Sequence, residues 1–96
     1  MAQVRVIARA AAREGKAEEL KELLRRMVAP TRAEDGCVYY ELLESNRPGL
    51  FYFDELWESR EALEAHASSE RFVEIFGKAK ELMREPLEVN LLTEVM

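Results

Sequence analysis

His66 is the only histidine in this chain of 96 residues. It is also the side chain best suited to moving a proton near neutral pH, since an unperturbed imidazole titrates at about 6.5. Three residues after Leu63 and four after Ala62, it shares their apolar helix face and turns inward. There it serves either as a general base or as a packed histidine making one structural hydrogen bond. A second cluster lies upstream, where Phe51, Phe53 and Trp57 alternate along Leu50–Trp57. They either line a pocket for a flat aromatic ligand or form ordinary sheet core. Glu55 shares their face, and an inward carboxylate needs a partner. Arg5, Arg9 and Arg32 are the candidates, so ion pairing is the plainer role for Glu55 beside substrate contact. Tyr39 and Tyr40 point to opposite faces, and only one can reach a given pocket; Tyr39 is the candidate substrate contact. Arg32 reads as a helix-end or dimer contact rather than a substrate ligand.

Other chemistries lack their residues. One histidine and one cysteine make no His-rich metal set and no zinc spacing. No glycine-rich phosphate loop or Ser-His-Asp order is present. Cys37 cannot form an internal disulfide and reads as a small buried hydrophobe opening a strand.

The elements that must position these residues follow from periodicity. Val4–Ala10 alternates, with Val4, Val6, Ala8 and Ala10 on one face and Arg5, Ile7 and Arg9 on the other. From Ala17 the period turns helical through Leu20, Leu23, Leu24, Met27 and Val28. Pro30 should kink or end this helix, leaving Thr31–Glu34 as a last turn, and Asp35-Gly36 closes it. Cys37–Ser45 and Leu50–Trp57 form a hairpin around Arg47-Pro48-Gly49, a type II turn. Ser59 caps a short helix through about Ala67, and Ser68 or Ser69 caps the next. That helix has an apolar face of Phe72, Val73, Ile75, Phe76, Ala79, Leu82 and Met83, with Gly77 suggesting a close helix–strand contact, and Pro86 ends it. Leu87–Val95 is the last strand. The predicted class is α+β, a ferredoxin-like βαββααβ chain with a four-stranded antiparallel sheet in one domain spanning 1–96.

Three helices cover only one side of such a sheet, yet both hairpin strands are apolar on both faces. Cys37, Tyr39 and Leu43 oppose Val38, Tyr40 and Leu42, while Phe51, Phe53 and Trp57 oppose Leu50, Tyr52 and Leu56. A second copy is the simplest cover, because a two-fold interface is self-complementary, so a homodimer paired sheet to sheet is expected. A net charge of -5, with 14 basic residues interleaved among 19 acidic ones, argues against a nucleic-acid partner. No apolar run approaches the ~20 residues that span a bilayer. The N-terminus MAQVRVIARA lacks a signal-peptide core, so no membrane association and a cytoplasmic location are expected.

Several stretches resemble one family. Ala29-Pro30-Thr31-Arg32-Ala33-Glu34-Asp35-Gly36-Cys37 is similar to its helix end and entry to the second strand, and Tyr40-Glu41-Leu42 to that strand. Phe53-Asp54-Glu55-Leu56-Trp57-Glu58-Ser59, followed by Ala62-Leu63-Glu64-Ala65-His66, resembles its E-x-W-x-S signature and histidine-bearing helix. From about Val4 to Glu94 the chain resembles the antibiotic biosynthesis monooxygenase family. The resemblance implies a dimeric α+β barrel that inserts oxygen from O₂ into small phenolic or quinol-like aromatics, with no cofactor, neither metal nor flavin. It places a pocket at His66, which would take the substrate proton. It also covers isomerases, so an isomerase or a non-catalytic small-ligand-binding dimer is the alternative. A neighbouring haem-degrading branch uses asparagine, tryptophan and histidine where this chain has Ala8, His66 and Phe76, which disfavours that activity.

Overall fold

The computed structural model describes residues 2–95. Its strands are β1 (Val4–Ala11), β2 (Cys37–Glu44), β3 (Leu50–Trp57) and β4 (Glu88–Leu92). Its helices are α1 (Ala17–Arg25), α2 (Val28–Arg32), α3 (Arg60–Ala67) and α4 (Glu70–Ala79), and a 3₁₀ turn at Lys80–Leu82 extends α4. The strands form one antiparallel sheet in the order β2-β3-β1-β4, the expected ferredoxin-like arrangement with both crossovers on one face.

Alternation sets the register. Val6, Ala8 and Ala10 of β1 pair with Glu55, Phe53 and Phe51 of β3, and this side is buried under the helices. Leu20, Leu24, Met27, Ile75 and Ala79 supply the helical half of the core. The hairpin turn is as read: Gly49 has φ of +79°, and Leu50 N donates to Arg47 O at 3.4 Å. Among the described residues no helix is long and apolar enough to cross a membrane.

Several expectations are corrected. The first helix breaks at Arg26–Met27, ahead of Pro30, and α2 then carries Pro30 in its first turn, where a missing N–H is harmless. In β2 a bulge lies between Cys37 and Tyr39: Cys37 pairs with Trp57 but Tyr39 with Leu56. Cys37 therefore joins Tyr40 and Leu42 on the helix side, leaving exposed Val38 as the extra residue. Gly77 has open space around it and makes no close strand contact, and Val73 is exposed. The last helix ends well before Pro86. The last strand is shorter than Leu87–Val95, and within one chain its Val89, Leu91 and Leu92 remain exposed.

The far side of the sheet carries Ile7, Leu43, Tyr52, Leu56 and Leu92. Ion pairs frame it, Arg5 with Asp54 at 3.0 Å and Arg9 with Glu85 and Glu88 at 2.9 and 3.2 Å. It is therefore less uniformly apolar than the strand composition suggests.

Candidate functional site

Ser59 starts α3 by accepting a hydrogen bond from Ala62 N at 3.1 Å, which fixes the phase of the helix and the inward face of Ala62, Leu63 and His66. The turn before β2 packs on that face. Gly36 has φ of +84°, and a Cβ there would lie 2.5 Å from Ala62 Cβ. Only glycine accommodates both the left-handed backbone and this approach. His66 lies one turn beyond Ala62, so the same seam delivers Glu34: its Oε1 is 3.0 Å from His66 Nδ1. Glu34 Oε2 accepts from Arg71 Nη1 of α4 at 3.4 Å.

An ionised carboxylate only accepts hydrogen bonds, so this pairing assigns the imidazole proton to Nδ1 and leaves the lone pair on Nε2. Nε2 has no hydrogen-bond partner among the described residues. The ring is buried between Trp57, Phe72 and Tyr40, at centroid distances of 4.7, 5.2 and 5.5 Å. Burial lowers its pKa below the ordinary value of 6.5; Glu34 opposes this and Arg71 adds to it. The imidazole is thus neutral at pH 7, in the form that accepts a proton.

His66 lines a cavity of about 260 Å³ between the sheet and the last two helices. Phe53, Tyr40 and Glu55 line its sheet side, Phe72 and Phe76 its helix side, and Val89 and Leu91 of β4 one flank. Glu55 is 5% exposed within these apolar walls. Its Oε1 accepts from Trp57 Nε1 at 2.9 Å. The expected arginine partners are engaged elsewhere: Arg5 and Arg9 point to the far side, and Arg32 holds Glu41 at 3.2 Å and the Tyr40 carbonyl at 2.9 Å. Glu55 has no ion pair among the described residues, which corrects the expectation of a structural salt bridge. Burial raises its pKa to about 7; the Trp57 hydrogen bond opposes that rise, and the charges of Asp54 and Glu34 add to it.

Of the residues singled out in the sequence, His66, Phe53 and Glu55 meet at the cavity. Trp57 does not line it but backs His66 and holds Glu55. Phe51 is core, paired with Ala10. Tyr39 is on the other side of the sheet, 3.2 Å from Asp54, and does not reach His66. Tyr40 takes its place on the cavity wall, its phenol pushed far above its usual pKa by burial. Ala8 and Phe76, weighed against the haem-degrading branch, line the same cavity. The sequence reading missed Glu34, whose one available signal is Gly36 two residues on. Among the described residues no three His, Cys, Asp or Glu side chains are grouped to hold a metal ion.

This sequence and fold have relatives. The family model described as "Antibiotic biosynthesis monooxygenase" matches residues 3–78. The Mycobacterium tuberculosis protein named "Putative monooxygenase Rv0793" is 39% identical over 89 residues, covering 93% of this chain and 88% of the relative. Its solved structure superposes with a TM-score of 0.92 at 37% identity, covering 99% of this chain and 97% of the other. PA3566 from Pseudomonas aeruginosa gives a TM-score of 0.91 at 33% identity, covering 100% and 97%. With the matched family model spanning most of the chain, and the fold superposing on solved relatives, this chain belongs to the antibiotic biosynthesis monooxygenase family.

Proposed function

We propose that the chain is a monooxygenase that adds one atom of O₂ to a small phenolic or quinol-like aromatic, with His66 as the base and no metal or flavin. The observation that carries this reading is the Glu34–His66 pair opening on a cavity walled by Phe53, Phe72 and Phe76. His66 Nε2 takes the phenol proton, and the resulting phenolate is electron-rich enough to pass an electron to O₂ directly. The protein's work is then deprotonation, orientation of a flat ring among aromatic walls, and exclusion of water. Glu34 holds the tautomer and stabilises the imidazolium that forms.

The working form in this reading is a homodimer joined through the far side of the sheet, which carries Ile7, Leu43, Tyr52, Leu56 and Leu92 among the ion pairs of Arg5 and Arg9. The test is oxygen uptake on a panel of hydroquinones and naphthols. His66→Ala should lower protein-dependent turnover by ~10²–10⁴-fold while the fold survives, since alanine suits a helix. Turnover of quinol without oxygen uptake would move the assignment to an isomerase. A folded His66→Ala variant with near-normal rates would remove His66 from the chemistry.

A further inference from the structure

Glu55 is more than the reading above requires. A carboxyl buried in an apolar wall with no ion-pair partner among the described residues is a standing cost to the fold, and a neutral amide or a methionine would fill the space without it. One of its oxygens is fixed by the Trp57 indole at 2.9 Å, the one hydrogen bond the carboxyl makes among the described residues. The same indole packs against His66 with centroids 4.7 Å apart and planes tilted by 35°, so one aromatic side chain touches both proton carriers. Glu55 rises from the sheet and His66 descends from α3, and both line one cavity. Two proton-carrying groups on the wall of one cavity can serve two reacting positions of a single phenol.

Resting on the monooxygenase reading, we propose that Glu55 is the second catalytic group: as the acid it protonates the peroxide formed when O₂ adds to the ring, and as the carboxylate it then removes the hydrogen from that carbon. The steps balance. His66 takes the phenol proton, giving imidazolium and phenolate. The phenolate passes one electron to O₂, and the two radicals combine at the neighbouring ring carbon as a peroxide anion. Glu55 gives its proton to that anion. The Glu55 carboxylate then takes the C–H proton as the O–O bond breaks, leaving a carbonyl on the ring. The departing hydroxide takes the proton held by His66 and leaves as water. The ring loses four electrons and O₂ gains four, one oxygen staying on carbon and the other ending in water. Both side chains return to their starting forms.

His66 cannot perform both tasks, because it already holds a proton when the C–H bond must break. Burial favours the acid form of Glu55, supported by the nearby charges of Asp54 and Glu34, and across the cavity Arg60, Glu64 and His66 are the ionisable groups on α3.

The experiment compares wild type, Glu55→Gln and Glu55→Asp with a naphthohydroquinone in air, subtracting the uptake seen with His66→Ala. Oxygen consumed, hydroxyquinone formed and hydrogen peroxide released are all measured. Glutamine keeps the oxygen that accepts from Trp57 and removes only the proton. Wild type should give one hydroxyquinone per O₂. Glu55→Gln should still consume O₂ but lose about 10-fold or more of the hydroxyquinone yield, a modest share of what one acid–base group supplies. Hydrogen peroxide should replace it, because an unprotonated peroxide reverts by C–O homolysis to the aryloxyl radical and superoxide, and the released superoxide takes protons from water and disproportionates to hydrogen peroxide and O₂. Glu55→Asp should recover part of the yield. An infrared difference spectrum, wild type minus Glu55→Gln, should show a protonated carboxyl band at pH 6 in the resting protein. A Glu55→Gln yield per O₂ equal to that of wild type, or no such band, overturns the role of Glu55 and leaves the monooxygenase reading standing. No protein-dependent uptake by wild type overturns both. Should Glu55→Gln fail to fold, the Glu55→Asp yield and the wild-type band, read against Glu55→Asp, decide.

Discussion

Glu55→Gln should flatten a pH dependence of stability that the wild-type chain carries. Glu55 is 5% exposed, and its pKa is raised from 4.5 to about 7 by burial first of all, with Trp57 opposing. One unit corresponds to 1.36 kcal/mol, so an interval of roughly 2.5 units is worth about 3 kcal/mol. The folded pKa lies above the unfolded one, so the native chain holds a proton that the unfolded chain has already lost. The contribution of Glu55 to stability is therefore full below pH 4.5 and is lost as pH rises towards 7. His66 runs the other way: its folded pKa is lowered, so stability rises as pH climbs towards 6.5. The two trends offset each other in wild type, and only the difference between variant and wild type isolates Glu55.

Glutamine cannot ionise and keeps its acceptor for the Trp57 indole, so Glu55→Gln should gain about 3 kcal/mol on wild type between pH 4.5 and 7.5. For a domain of this size that is a large part of the net stability of roughly 5–15 kcal/mol. Urea melts followed by Trp57, the single tryptophan, give the curve, with protein concentration held fixed because association shifts apparent stability. A difference between the two proteins that does not change with pH would refute both the buried, unpaired carboxyl and the sign derived from it.

Glu34→Gln should lower the His66 pKa further, because Glu34 opposes the effect of burial, and should weaken the preference for a proton on Nδ1. As His66 is the only histidine, one set of imidazole nitrogen resonances reports both changes. Gly36→Ala should destabilise the fold by about 1–3 kcal/mol in denaturant melts, the scale of a non-glycine residue held at positive φ, and should perturb the same resonances. Ile7→Asp adds a carboxylate beside Asp54 in the middle of the far side of the sheet, where the neighbouring Arg5 and Arg9 are already paired, and should weaken association if that side is buried between two copies. Sedimentation should then show dissociation towards the 11.1 kDa chain, and an unchanged mass for a folded variant would rule out this interface.

The parts of the site that obey a period were legible. His66 faces inward because it follows Ala62 and Leu63 at helical spacing, and Glu55 shares a face with Phe53 and Trp57 because strands alternate. What the period could not supply was cross-chain pairing. Arg5 and Arg9 lie on the Ile7 face of β1 and Glu55 on the Val6 face, a distinction that only the β1–β3 register makes. The bulge at Val38 carries no glycine or proline to announce it, yet it moves Cys37 across the sheet relative to Tyr39. Glu34 lies in a turn far from His66 in sequence, and a carboxylate among 19 acidic residues does not stand out by type. Gly77 shows the opposite error. A glycine inside a helix suggested close packing, and the surroundings are open.

The arrangement of Glu55 and His66 acquires its meaning from the order of their proton affinities. In water, with pKa values of 4.5 and 6.5, a proton shared between a glutamate and a histidine rests on the imidazole, and the carboxyl is ionised and no acid near neutral pH. Here burial acts on both in the direction that disfavours charge, raising Glu55 to about 7 and moving His66 down from 6.5, so the order is reversed. No hydrogen bond joins the two among the described residues, and the Trp57 indole is bonded to one and packed, tilted, against the other. Glu34 prevents the lowering of His66 from going too far, since an imidazole of very low basicity would no longer take a phenol proton. The apolar walls, the indole and the supporting carboxylate together favour the uncharged acid and the uncharged base in one cavity, with Glu55 about half protonated at pH 7, which is the condition the proposed two-group mechanism requires.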